Sequence, residues 1–228
     1  MTDVIIHVGC HKTGTTFLQE CVFPYIDGVL YYYKPENVEE IPIIGKKPVL
    51  ISNEEFSRSM PTRDKQLETL LQLKNLYPNA KIIIGVRNDA SWMRSCYAQT
   101  IKTGGYMSWE EFCSTYSNCR VPIIFYYYCK MMWRDVLLYR HEDLKKDHWK
   151  VIKSMCDFMG VDCPKRIHYK TVNVSLKNLE LWRWINIITR GLWWRKHIES
   201  PWWIATFPQR KILLVIEELK NHNNKHQN

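Results

Sequence analysis

The chain lacks the features that would set it in a membrane or around a metal. None of its 228 residues falls in an uninterrupted apolar run of membrane-spanning length, and no basic and then apolar leader precedes the first core-like segment. These absences predict a soluble, cytoplasmic protein. The eight cysteines (Cys10, Cys21, Cys96, Cys113, Cys119, Cys129, Cys156 and Cys163) form no C-x-x-C pair, and no regularly spaced histidines accompany them. Neither zinc nor a dense disulfide frame is therefore expected. Several stand on apolar helix faces, where a thiol behaves as a small hydrophobe. No internal repeat is present. Acidic residues are in deficit: 23 Asp and Glu face 32 Lys and Arg, a formal charge of +9 that favours anionic partners. From Lys177 onward nine basic and four acidic residues leave a net +5. Nucleic acid, an anionic nucleotide, a glycan or a membrane surface would each suit that charge, so charge alone selects none.

What is present is a chain that is 46% hydrophobic and long enough for one well-buried domain, expected over residues 1–228. Its organising stretch is Val4 to Glu20, VIIHVGCHKTGTTFLQE. Val4, Ile5, Ile6 and Val8 make the short apolar run of a parallel strand covered on both faces. Gly9 and Gly14 bracket a tight loop, and Thr15, Thr16, Phe17, Leu18, Cys21 and Val22 continue with helical spacing. A strand feeding a glycine loop and a helix N-terminus is an anion site. Backbone N–H groups of the first turn and the helix dipole favour phosphate, and hydroxyls of Thr13, Thr15 and Thr16 can add donors. A nucleotide triphosphatase loop reads G-x-x-x-x-G-K-[ST]. Here Gly9 and Gly14 keep its spacing, but Thr15 follows the second glycine and the loop's only lysine is Lys12.

Further along, Gly28 to Tyr33 reads as a short strand or an aromatic wall, and Lys34 to Lys47 as loop. Val49 to Ile51 is a second compact strand, followed at once by Ser52, Asn53, Glu54 and Glu55, where open α/β sheets put their chemistry. Thr62 can cap a helix with an apolar face at Leu67, Leu70 and Leu71. Lys81 to Val86 is a further buried strand ending in Arg87, and Asp89 can cap the helix after it. Ser108 and Glu111 make a capping box. Ile123 to Trp133 is ambiguous between strand and helix, with helix preferred, and Val136 to Tyr139 is a strand. Asp147 caps an amphipathic helix that Gly160 ends. Strand and helix alternate, which predicts an α/β fold with a central parallel β-sheet flanked by helices. From about residue 176 the chain is expected to be helical and aromatic, with Trp182, Trp184, Trp193, Trp194, Trp202 and Trp203 among its ten tryptophans. That part reads as a packed lid, or as a surface for peripheral membrane contact.

Lys12 to Thr16, KTGTT, resembles the 5′-phosphosulfate loop of the sulfotransferases that use 3′-phosphoadenosine 5′-phosphosulfate (PAPS). Arg87 and Ser95 keep the eight-residue spacing with which that family grips the 3′-phosphate. The resemblance, at the level of motif order, runs over about residues 4 to 175 and implies a P-loop-like fold. It also implies PAPS as donor, 3′-phosphoadenosine 5′-phosphate (PAP) as product, and Lys12 at the leaving oxygen. His11, Lys12, Thr13, Gly14, Thr15, Thr16, Arg87 and Ser95 would bind the nucleotide, with Asn173 and Ser175 in a late Asn-x-Ser stretch as further contacts. No metal is required, and no nucleic acid is expected. The acceptor must lose a proton as it attacks. Glu54, placed like the catalytic glutamate of glycan sulfotransferases, is the candidate base, which points to a glycan or glycolipid acceptor. Glu55, His7 and His11 are its rivals, and His141 more simply decorates a strand end. A small-molecule P-loop kinase and a non-catalytic nucleotide or anionic-glycan binder are the alternative readings.

Overall fold

The computed structural model describes residues 3–43, 45–57, 63–116, 121–169 and 178–194. By its internal contacts the chain divides into two compact units, one of residues 1–93 and 116–174, the other of residues 94–115 and 175–228.

The first unit is an α/β sandwich. Its strands are β1 (Val4–Val8), β2 (Leu30–Tyr33), β3 (Val49–Ser52), β4 (Lys81–Val86) and β5 (Val136–Arg140). All pair in parallel, in the order β2-β3-β1-β4-β5. The unbroken apolar runs of β1, β3 and β4 follow from this topology, since both faces of each strand are covered. On one face Ile6, Val8, Val49, Ile51, Ile82 and Ile84 pack against Leu70 and Leu73 of α2 (Arg63–Leu76) and Phe125, Cys129 and Trp133 in and beyond α5 (Val121–Met132). On the other, Ile5, Leu50, Ile83 and Tyr139 meet Leu18, Cys21 and Phe23 after α1 (Thr15–Phe17), Leu144 of α6 (His141–Lys146), and Ile152 and Met155 of α7 (His148–Met159). Each fully buried aliphatic of this set contributes on the order of 1.5–3 kcal/mol by leaving water.

Local chemistry sets the helix ends. The Asp147 carboxylate accepts from the Lys150 N–H at 3.0 Å, and Gly160 ends α7 at φ 73°, a left-handed cap that glycine enters without steric cost. The cap of α3 (Asp89–Lys102) falls one residue earlier than the sequence suggests. Asn88 Oδ1 accepts from the Ser91 N–H at 3.3 Å, so Asp89 is the first helical residue. Thr62, read as the cap of α2, lies outside the described residues. The Gly28 to Tyr33 segment resolves into strand β2, with Tyr31 and Tyr33 side by side, ring centres 6.4 Å apart. Ile123 to Trp133 is helical, within α5 up to Met132.

The second unit contains α4 (Trp109–Thr115), α8 (Leu179–Trp194) and the continuation of α3. The expected capping box is present: Glu111 accepts from the Ser108 N–H at 2.7 Å while the Ser108 hydroxyl accepts from the Glu111 N–H at 3.1 Å. Tyr97, Trp109 and Phe112 pack edge-on or stacked. Buried Asn186 donates from Nδ2 to the carbonyls of Ile101 and Gly105. Leu181, Trp184 and Ile188 stand exposed on α8, with the Arg183 guanidinium 5.0 Å from the Trp184 ring centre. Of the tryptophan-rich stretch, residues 195–228 lie outside the described residues. No described helix is long and apolar enough to cross a membrane.

Candidate functional site

The site is built where the C-terminal ends of β2, β3, β1 and β4 lie side by side. After Val8 the chain turns through residues 9–14 into α1, and protein groups hold four successive carbonyls of that turn. Gly9 O accepts from the Ser57 hydroxyl at 2.9 Å, and Cys10 O from the hydroxyls of Thr13 and Thr15 at 2.6 and 3.2 Å. His11 O accepts from Trp92 Nε1 at 2.8 Å, and Lys12 O from Arg87 Nη1 at 3.1 Å. Peptide units are planar and trans, so the N–H groups of residues 10 to 13 point away from those four anchors. Amide N–H groups turned away from anchored carbonyls, on a loop that runs into a helix N-terminus, make an arrangement suited to phosphate or sulfate oxygens.

Backbone conformation explains the glycines. Gly14 has φ 92°, and a Cβ on it would stand 2.5 Å from Leu144 Cδ2 and 3.3 Å from His141 Nδ1. A Cβ on Gly9 would meet the Thr15 side chain at 2.4 Å. Lys12, a lysine, sits at φ 65°, a sparsely occupied conformation that the surrounding bonds must hold in place. Gly85, inside β4, is equally constrained: a Cβ there would meet the Tyr139 ring at 2.4 Å and Thr13 Oγ1 at 2.8 Å. Sequence reasoning passed over Gly85, although a glycine inside a buried strand is a signal of close approach.

The threonines divide. Thr13 and Thr15 are buried and spend their hydroxyls on Cys10 O, shaping the loop, whereas Thr16 is partly exposed at the start of α1. Arg87, just after β4, is half-buried and bonded through Nε to the Ser91 hydroxyl at 2.9 Å as well as to the loop. Its adjacency to the first glycine turn is thus direct. Ser95 stands partly exposed on α3, within the second unit. Asn173 and Ser175 lie outside the described residues. His141 sits half-buried against Gly14 on the loop. Burial depresses its pKa, and the Arg87 and Lys145 cations add to the effect.

The carboxylates also separate. Asn53 caps a single 3-10 turn, Glu54–Phe56, by accepting from the Glu55 N–H at 2.9 Å. The turn throws the two acids apart. The Glu54 side chain is only 13% exposed and is ion-paired through Oε1 with Lys34 at the end of β2, while Glu55 is 64% exposed, its Oε1 3.7 Å from His11 Nε2. His11 is lowered from its ordinary value by burial, with Glu55 and Glu54 opposing that shift.

His7 has a different place. It is fully buried on the α1 side of the sheet, its Nδ1 2.7 Å from the Ser52 hydroxyl and its Nε2 3.3 Å from the Tyr139 hydroxyl. Gln19 donates to Ser52 Oγ at 3.0 Å, so a polar bridge runs under the loop from β5 to the helical turn after α1. Burial pushes the His7 pKa down to about 3. Below its ordinary value of 6.5 the unfolded chain binds this proton and the folded chain does not, so the stability present above pH 6.5 drains away as pH falls toward 3. His7→Asn should flatten a plot of unfolding free energy against pH in that window by up to about 1.4 kcal/mol per pH unit, read from urea denaturation at several pH values. Equal slopes for both proteins would show that His7 titrates alike folded and unfolded.

The seven described cysteines form no disulfide with one another. Among the described residues no three His, Cys, Asp or Glu side chains converge as a metal would require.

A turn of inward-held carbonyls after β1, with a lysine inside it and an arginine from β4 on its rim, defines the class. The chain matches the model of the sulfotransferase domain over residues 1–187, and it belongs to that family. Among solved structures it is similar to mouse sulfotransferase SULT7A1, crystallised with PAP, at 21% identity and a TM-score of 0.50, covering 72% of this chain and 60% of the mouse protein. It is similar also to the sulfotransferase from Alicyclobacillus acidocaldarius, at 15% identity and a TM-score of 0.53, covering 86% of this chain and 97% of that one. At such identities the likeness is one of fold. Comparison with curated sequences gives no match.

Proposed function

We propose that the chain transfers a sulfuryl group from PAPS to a hydroxyl or amine acceptor by in-line displacement, releasing PAP. The observation that carries this reading is the loop of residues 9–14, whose carbonyls are anchored by Ser57, Thr13, Thr15, Trp92 and Arg87 while its amides turn the other way. In this reading the loop amides and Thr16 hold the 5′-phosphosulfate, and Arg87 contributes to the 3′-phosphate subsite. The acceptor's lone pair forms the new bond to sulfur as the bond from sulfur to the phosphate oxygen breaks. Lys12 neutralises charge on the departing phosphate, and Glu54 takes the acceptor's proton. Such chemistry asks the protein for alignment and electrostatics more than for covalent intermediates.

A glycan or glycolipid acceptor is the finer part of the reading. It is supported by a carboxylate in the base position and by Tyr33, 45% exposed beside the Lys34–Glu54 pair, an aromatic face suited to a sugar ring. Titration calorimetry with PAP and with ATP tests the nucleotide assignment: PAP should bind at least about tenfold more tightly, a difference near 1.4 kcal/mol. Preference for ATP would turn the assignment toward a kinase. Tight PAP binding without turnover on any labelled-donor acceptor panel would leave a binding protein.

A further inference from the structure

The pairing of Lys34 with Glu54 is built with more care than a surface ion pair. Strand β2 is in register with β3 through Tyr33 and Ser52, and the Lys34 N–H extends the ladder by donating to Ser52 O at 2.9 Å. At Lys34 the backbone then takes φ 45°, the left-handed region that a lysine enters only at a cost. Its ammonium lies on Glu54 Oε1 and 5.3 Å from the Tyr33 ring centre. The other carboxylate oxygen has no such partner: Oε2 is buried and makes no hydrogen bond among the described residues. A buried carboxylate oxygen without a donor is unfavourable, and its persistence points to a use outside the resting fold. The turn bearing it is fixed, because the Ser57 N–H donates to Glu54 O at 3.2 Å while the Ser57 hydroxyl donates to Gly9 O at 2.9 Å, tying the turn to the loop of residues 9–14.

We propose that Lys34 is a positioning residue for the transfer reaction: by holding Oε1 of Glu54 it leaves Oε2 as the one oxygen that accepts the nucleophile's proton. The proposal rests on Glu54 acting as the base. The acceptor's O–H or N–H bond breaks, its proton goes to Oε2, and its electron pair goes to sulfur. Lys34 stays paired with Oε1 throughout. Other groups near the pair are His11 on the loop, Glu55 on the same turn, and Tyr31 and Tyr33 on β2.

The test is steady-state sulfuryl transfer by the full chain and by K34M, K34Q, K34R, E54Q and K34M/E54Q, with PAP calorimetry on each as a check of the fold. K34M and K34Q should lower kcat roughly 10- to 100-fold while leaving acceptor KM and PAP affinity within about twofold, because the lysine orients the base without touching either ligand. K34R keeps the charge and should restore kcat to within about threefold of wild type. The double variant should be no slower than E54Q, because the lysine acts through the glutamate. Wild-type kcat in K34M and K34Q beside an inactive E54Q would overturn the role of Lys34 alone. An increase confined to acceptor KM, with kcat unmoved, would likewise overturn it by making Lys34 an acceptor contact. An active E54Q would instead remove Glu54 as the base.

Discussion

Lys12→Met is expected to lower kcat by two to three orders of magnitude while weakening PAP by less than about tenfold, a loss of roughly 3–4 kcal/mol concentrated in the transition state. Methionine keeps most of the unbranched stem and removes only the charge. The backbone at Lys12 is held at φ 65° by a loop whose carbonyls are tied on every side, including its own to Arg87, so the substitution leaves the loop's bonds intact. Negative charge on the leaving phosphate grows as the bond to sulfur breaks. A cation placed for that charge therefore contributes more to the transition state than to the bound donor, and its loss falls on kcat rather than KM. Single-turnover rates with saturating donor, set beside PAP calorimetry, separate the two. A variant that keeps its rate but loses PAP would make Lys12 a binding cation only.

Glu54→Gln should reduce turnover by about 10²- to 10⁴-fold, the range that a positioned proton acceptor supplies, with PAP affinity unchanged within about twofold. Glutamine fills the same space but takes no proton. Glu55→Gln is the matched control. Its carboxylate is 64% exposed, against 13% for Glu54, and a solvated side chain that close in sequence should alter turnover by no more than about twofold. If Glu55→Gln is the inactive variant, the base is the outer carboxylate working beside His11.

The fold was legible because its signals are local. The apolar runs of β1, β3 and β4, the Ser108 and Asp147 caps and the Gly160 stop each depend on residues within a few positions of one another. The cap of α3 was misplaced by one residue because Asn88 and Asp89 carry equally good cap acceptors, and only the geometry at the end of β4 selects Asn88. At the site, the glycines and lysine of residues 9–14 could be recognised by spacing, and Arg87 by its place at a strand end. What the hydroxyls of Thr13 and Thr15 do could not, since a threonine in a loop serves equally as ligand donor or as brace until its neighbours are known. His7 illustrates the same limit. As a letter it is a candidate base, but with Ser52 and Tyr139 on its two nitrogens it is a buried neutral bridge. Lys34 carried no signal at all, being one lysine in a polar loop.

By itself the sequence determined the glycine loop between β1 and α1, the alternation of strands and helices, and the family, because hydrogen-bond caps, glycine conformation and strand apolarity act over short stretches of chain. Tertiary structure alone decided which carboxylate is sheltered, which oxygen of it is held by Lys34, and that the Arg87 guanidinium reaches the Lys12 carbonyl. Those pairings join the tips of different strands, and the order β2-β3-β1-β4-β5 is what brings such distant positions within bonding distance.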